Sequence, residues 1–192
     1  MLKNEVRIIG GKWRGRKIKF LDIAGLRPTP NRVRETLFNW LSPIICGKRC
    51  LDLFAGSGAL GFEALSRGAE EVVFVDQNKQ AIQQLKANQQ LLDCEHADIY
   101  EKSAQEYLEQ AIESFDIVFL DPPFHQEVIS QICKTLSQKN LLADDALIYI
   151  EVRAPTGKTS TQSSFDLPEN WQMIKQKRAG QVAYYLIQTG SI

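Results

Sequence analysis

Strand-like apolar runs and stretches of helical periodicity alternate along most of this chain. Val6–Ile9 and Lys17–Phe20 are short β-prone runs on either side of the glycine-rich GGKWRG, a pattern that predicts a hairpin. In the LRPTPNRVRETLFNWL segment that follows, Val33, Leu37, Trp40, Leu41 and Ile44 recur on one helical face, with Arg32, Glu35 and Asn39 opposite. Thr29 is expected as the N-cap of this helix, with Pro30 in its first turn. Beyond Lys48 the alternation becomes regular. Cys50–Phe54 predicts a strand, Gly58–Arg67 a helix ended by Gly68, and Glu71–Asp76 a strand. Ala81, Ile82, Leu85 and Leu92 mark the next helix, His96–Ile99 a weak strand and Ala104–Ala111 a short helix. Phe115–Leu120 and Leu147–Val152 predict buried strands flanking a helix over Val128–Leu136, and the tail reads as a closing hairpin around Ala179-Gly180. APTGKTSTQSS (154–164) is expected to be a mobile loop.

Near-continuous apolar strands alternating with helices predict an α/β fold with a mostly parallel sheet covered on both faces. The 192 residues, 44% of them hydrophobic, suit one domain with a sizeable core. We expect a basic N-terminal hairpin extension over 1–28 and a main domain over 29–192. The opening MLKNEVRIIGG lacks the apolar stretch of a secretion signal, and no run approaches bilayer length, so a soluble cytoplasmic protein is expected. Cys46, Cys50, Cys94 and Cys133, with His96 and His125, form no metal-ligand pattern, and no metal site is expected.

The net charge is zero, but the charge is segregated. Residues 1–49 hold twelve Lys/Arg against Glu5, Asp22 and Glu35, while the remainder holds eleven against twenty acids. That asymmetry points to a polyanion-binding arm. Arg7, Lys12, Arg14, Arg16, Lys17, Arg32 and Arg34 are expected to meet phosphates and Trp13 to stack on a base, giving an RNA-binding face.

Two motifs carry chemistry. LDLFAGSGALGFEAL places Gly56, Gly58 and Gly61 between a strand and a helix, with Asp76 ending the next strand. Glycines permit close backbone approach, the helix start offers free N–H groups, and a carboxylate at Asp76 can take both hydroxyls of a ribose. This fits a dinucleotide or S-adenosylmethionine (SAM). Asp52, just before the loop, would oppose a pyrophosphate and favour the cationic SAM. The second motif is Asp121-Pro122-Pro123-Phe124, which follows the fourth strand. Two prolines stiffen outward carbonyls beside the Asp121 carboxylate, an acceptor-only rim that suits both N–H groups of an exocyclic amine, with Phe124 as a stacking surface.

The glycine loop and DPPF resemble the class I SAM-dependent amino-methyltransferases. With RPTPNRVRETLFNWL, LDLFAGSGALGFEALSRGA, DALIYIE and AGQVAYYLIQ, nearly the whole chain is similar to the bacterial 16S ribosomal RNA guanine-N2-methyltransferase family. The resemblance implies a seven-stranded Rossmann-like sheet, SAM as methyl donor, and a guanine of 16S rRNA, within the assembling 30S subunit, as target; separately, a monomer is expected. By position it assigns Phe54, Ala55, Gly56 and Gly58 to the SAM loop with Asp52 beneath. Asp76 and Gln77 fall at the ribose, Ser103 and Ala104 by the adenine, Thr29 near the methionine end, and Asp121 to Phe124 at the amine. A DNA adenine or cytosine amino-methyltransferase, a protein-glutamine methyltransferase, an NAD-dependent oxidoreductase and a non-catalytic RNA-binding protein remain as alternatives.

Overall fold

The computed structural model describes residues 4–21, 29–122, 126–154 and 165–190. Strands β1 (Glu5–Arg7) and β2 (Lys17–Lys19) form the small antiparallel hairpin, followed by α1 (Asn31–Leu41). The main unit runs β3 (Arg49–Asp52), α2 (Ala59–Ser66), β4 (Glu71–Asp76), α3 (Lys79–Leu92), β5 (Ala97–Glu101), α4 (Ala104–Gln110), β6 (Phe115–Leu120) and α5 (Gln126–Gln138). It closes with β7 (Leu142–Arg153), β8 (Trp171–Ala179) and β9 (Val182–Thr189).

Seven strands lie in the order β5-β4-β3-β6-β7-β9-β8. The five on the β5 side are mutually parallel, and β9 joins antiparallel to both β7 and β8. The chain winds outward from β3 through β4 to β5, then returns to place β6 on the other side of β3. That reversal is where an open α/β sheet presents a crevice at the carboxyl ends of its strands.

Burial on both faces explains the continuous apolar strands. Cys50, Val72, Phe74, Ile117, Phe119 and Tyr149 point into one core, packed by α1, α2 and α3. Leu51, Val73, Val75, Val118, Leu120 and Ile148 point into the other, packed by α4 and α5. Among the described residues no helix is long and apolar enough to cross a membrane.

The hairpin is fastened to the main unit: Val6, Ile8, Trp13 and Ile18 belong to the same core as α1 and α2. Two expectations for the RNA face are corrected here. Trp13 is buried, its backbone N–H donating to the Ser66 hydroxyl at 2.9 Å, so its ring is core and not a stacking platform. Arg34 is fully buried; it pairs with Glu63 and donates to the Arg7 carbonyl at 2.9 Å and to Asn31 at 2.7 Å. Helix α1 also turns differently from the sequence expectation. Phe38 joins Val33, Leu37 and Leu41 on the buried face, whereas Trp40 is half-buried and Ile44, beyond the helix, is exposed. The 155–164 part of the expected mobile loop lies outside the described residues.

Candidate active site at the carboxyl ends of strands β3 and β6

Strand β3 ends at Asp52 and the chain turns through residues 53–58 into α2. The Leu53 N–H bonds the Phe119 carbonyl of β6 at 3.2 Å, and the Ala55 N–H bonds the Val75 carbonyl of β4 at 2.9 Å. The loop is thereby anchored between two neighbouring strands, at the end where β6 runs out into Asp121. Gly56 (φ 48°) and Gly58 (φ 74°) hold left-handed conformations. A Cβ at Gly58 would also lie 2.5 Å from Leu85 and 2.7 Å from Phe62, so a side chain here would disturb the packing of α2 on α3. At Gly61 a Cβ would fall 2.2 Å from the Phe74 ring, so this glycine seats α2 on β4.

Two carboxylates hold the loop in shape. Asp76 accepts from the Gly56 N–H at 2.8 Å through one oxygen and from the Asn78 N–H at 2.7 Å through the other. Each oxygen keeps a lone pair for a further donor, as a ribose diol requires. Asp52, 3% exposed, accepts from the Gly61 N–H at 3.1 Å. It thus satisfies one of the free donors at the start of α2, whose N-cap Gly58 has no side chain to do so. Burial, with Asp76 nearby, raises the Asp52 carboxyl to about 7.

Thr29 does not cap α1 as expected; Pro30 is the N-cap residue and no side-chain cap bond forms. The Thr29 hydroxyl instead donates to Asp121 Oδ2 at 3.4 Å, bringing the segment before α1 onto the rim. Asp121 is half-buried. Burial and the neighbouring Glu151 and Asp52 hold its carboxyl well above the ordinary carboxylate range, with the Thr29 bond opposing. Pro122 follows at the mouth, while Pro123 and Phe124 lie outside the described residues.

On the opposite flank, Ser103 and Ala104 sit beside Asp76, because the Lys102 N–H bonds the Asp76 carbonyl at 3.1 Å. The Ser103 side chain is committed to a capping box with Glu106 at the start of α4, so Ser103 shapes this wall and its hydroxyl is already engaged. Gln77 is exposed next to Asp76, Phe54 is half-buried and Ala55 buried in the loop.

Sequence reasoning missed Glu151 and Tyr149. Glu151 is buried on β7 one position beyond the Leu120↔Ile150 pair, hence alongside Asp121. The Tyr149 hydroxyl donates to it at 2.7 Å. An acidic residue ending an apolar run was the available signal. Among the described residues, none of Asp52, Asp76, Asp121 and Glu151 forms a salt bridge with a cationic side chain. A ring of uncompensated carboxyl groups fits a cationic ligand such as SAM and disfavours a pyrophosphate.

The basic residues gather on another part of the surface. Arg7, Lys12, Arg14, Arg16, Lys17 and Arg32 are exposed. Lys17 pairs with Glu5 at 2.8 Å and Arg16 donates to the Leu91 carbonyl. A cleft of about 410 Å³ runs between the hairpin and the start of α1, lined by Arg7, Lys17, Phe20, Thr29 and Asn31 among others. Thr29 therefore borders both this basic cleft and the acidic crevice.

The sequence pattern of the family described as Conserved hypothetical protein 95 matches residues 6–188. Ribosomal RNA small subunit methyltransferase D of Haemophilus influenzae is 48% identical over 190 residues, covering 97% of this chain and 95% of its own length. Its Escherichia coli K12 namesake is 45% identical over 184 residues, covering 96% and 90%. Among solved structures, yhhF from Escherichia coli superposes with a TM-score of 0.87 at 42% identity, covering 98% of this chain and 99% of that one. A Thermus thermophilus 16S rRNA methyltransferase shares the fold alone, with a TM-score of 0.65 at 20% identity, over 98% of this chain and 50% of that one. The chain belongs to the Conserved hypothetical protein 95 family, together with the bacterial proteins named ribosomal RNA small subunit methyltransferase D.

Proposed function

We propose that this chain transfers a methyl group from SAM to the exocyclic N2 amine of a guanine in 16S ribosomal RNA, acting as a cytoplasmic monomer on the assembling 30S subunit. One observation carries the reading. The glycine loop and Asp121 leave adjacent parallel strands at the same end of the sheet, tied by the Leu53–Phe119 bond. A methyl donor held by the loop and an amine held by Asp121 would therefore share one crevice. The names of the relatives support ribosomal RNA of the small subunit as the substrate.

In this reading Asp76 holds the ribose hydroxyls, Asp52 faces the cationic end of SAM, and Ser103 and Ala104 flank the adenine. When bound, SAM supplies an activated methyl group, so the protein needs no nucleophile of its own. An exocyclic amine is a poor nucleophile because its lone pair is delocalised into the ring. Acceptors at Asp121 and the Pro122 carbonyl would draw both N–H groups and aim the lone pair, with Phe124 stacked on the base. Exposed Arg7, Lys12, Arg14, Arg16, Lys17 and Arg32 would hold the RNA backbone, with the cleft beside Thr29 leading toward the pocket.

The test is to incubate the protein with labelled SAM and 16S rRNA or 30S particles from cells lacking the family's enzyme, then analyse nucleosides by mass. N2-methylguanosine in RNA is the expected product. Label confined to DNA or protein, or to another base, would overturn the proposed substrate.

A further inference from the structure

Three elements deliver a connected set of hydroxyl and carboxyl groups behind the amine pocket. The Tyr149 hydroxyl donates to Glu151 Oε2 at 2.7 Å, the Thr29 hydroxyl reaches Asp121 Oδ2 at 3.4 Å, and Glu151 lies alongside Asp121 on the neighbouring strand, close to Thr29. Thr29 has one hydroxyl proton, so it can donate to one carboxylate while accepting from the other carboxyl group only when that group is protonated. Glu151 is 8% exposed, with Tyr149 on its own strand and Tyr184 opposite it on β9. Asp121 is faced by Asp52 from β3, Glu151 from β7 and Thr29 from the segment before α1. Neither Asp121 nor Glu151 has a cationic salt-bridge partner among the described residues.

Resting on the amine-methylation reading above, we propose that Glu151 stores the proton the amine must lose, receiving it from Asp121 through the Thr29 hydroxyl. The amine lone pair forms the N–C bond to the methyl group as the C–S bond breaks with its pair going to sulfur, leaving a neutral thioether. The nitrogen then carries one proton too many. Asp121 takes that proton, Thr29 accepts it while passing its own to Glu151, and Asp121 returns to its ionised form. The proton leaves to water when product departs. The Tyr149 hydroxyl holds Glu151 ready as an acceptor between turnovers. Glu151 acts on the substrate only through Asp121, and so is a positioning residue of the reaction. Two buried carboxyls this close favour a single shared proton, and both are raised above their ordinary values, chiefly by burial.

The test compares pH profiles of methyl transfer, at saturating SAM, with thermal unfolding profiles without SAM, for wild type, E151Q and Y149F. E151Q removes a negative neighbour, so the acid limb should move to lower pH while the plateau falls about ten- to a hundredfold. Y149F removes a donor that favours ionised Glu151, so its acid limb should move to higher pH. The melting temperature of the wild type should fall as pH rises above the ordinary carboxylate range, and less steeply in E151Q. Should E151Q fail to fold, the Y149F profile decides: a limb moved upward supports the proton store and an unmoved limb overturns it. Unmoved limbs with an unchanged plateau in both variants, beside a wild type that forms methylated base, would sink the proton store alone. A wild type that methylates no amine at all would sink both readings.

Discussion

Arg34 and Glu63 form an ion pair at 3.4 Å with neither side chain exposed to solvent. The Glu63 carboxylate also accepts from the Ile9 and Gly10 N–H groups, each at 2.8 Å, and from Arg67 at 2.7 Å. This one acid therefore pins the hairpin to α1 and α2. Glu63→Ala should strand a buried guanidinium and two backbone donors, costing about 3–5 kcal/mol. At about 2–4 °C per kcal/mol for a chain of this size, calorimetry should show a melting temperature lower by about 6–20 °C. A change of a degree or two would mean that the hairpin is not held by this pair.

Asp52 makes both stability and SAM affinity depend on pH. Its carboxyl is raised to about 7 in the fold, against about 4 in the unfolded chain. The folded form keeps its proton longer, so this group's contribution is fully present below about pH 4 and is lost as pH rises through about 7. Asp52→Asn should flatten that decline in melting temperature. A cation seated beside Asp52 favours the ionised form, so SAM affinity should rise about tenfold between pH 6 and 8 and much less in the variant. Titration calorimetry at several pH values would show it; a flat wild-type profile would remove Asp52 from the cofactor site.

How much could be read from the chain alone follows from where each signal resides. The alternation of strands and helices, the glycine turn and the place of Asp121 at a strand end were all legible, because strand periodicity and the loop motif are local in sequence. The seven strands were implied only by the family resemblance, and their order came from the fold. Thr29 was misread as a helix cap, since a Thr-Pro before a helix has that pattern and only the tertiary fold shows its hydroxyl turned to Asp121; its placement near the site came from the family resemblance alone. Trp13 and Arg34 were misread for a related reason. Their cationic and aromatic character signals RNA, while the partner that buries Arg34, Glu63, lies 29 residues away on another helix. Glu151 sits in an apolar strand whose pairing with β6 no local pattern displays.

Asp121 should separate binding from transfer. Its carboxylate contacts Thr29 on the rim but forms no part of the turn over 53–58. Asp121→Ala should lower methyl transfer about 10²–10³-fold, the scale of losing a preorganised charge partner at a reacting group. SAM affinity should stay within a few fold of wild type. Radiolabel transfer measured beside calorimetric SAM titration checks both. Equal losses in the two would assign Asp121 to the cofactor instead of the amine.

The hairpin and α1 permit one clean contrast between charge and core. Lys12, Arg14 and Arg32 are exposed, whereas Trp13 is 6% exposed and packs among Val6, Ile8 and Ile18. Neutralising the three cations together should weaken RNA binding and reduce the slope of log affinity against log salt by about 2–3, close to one per lost phosphate contact. Trp13→Ala should do the reverse, costing about 3–5 kcal/mol of stability through the cavity it leaves. Its salt slope per folded molecule should match wild type, because no cation is lost. Filter binding across a salt series, with the folded fraction fixed by circular dichroism, measures both. A Trp13 variant as stable as wild type but weak on RNA would show that the indole meets RNA despite its burial, and would move the nucleic-acid face inward from the lysine and arginine rim.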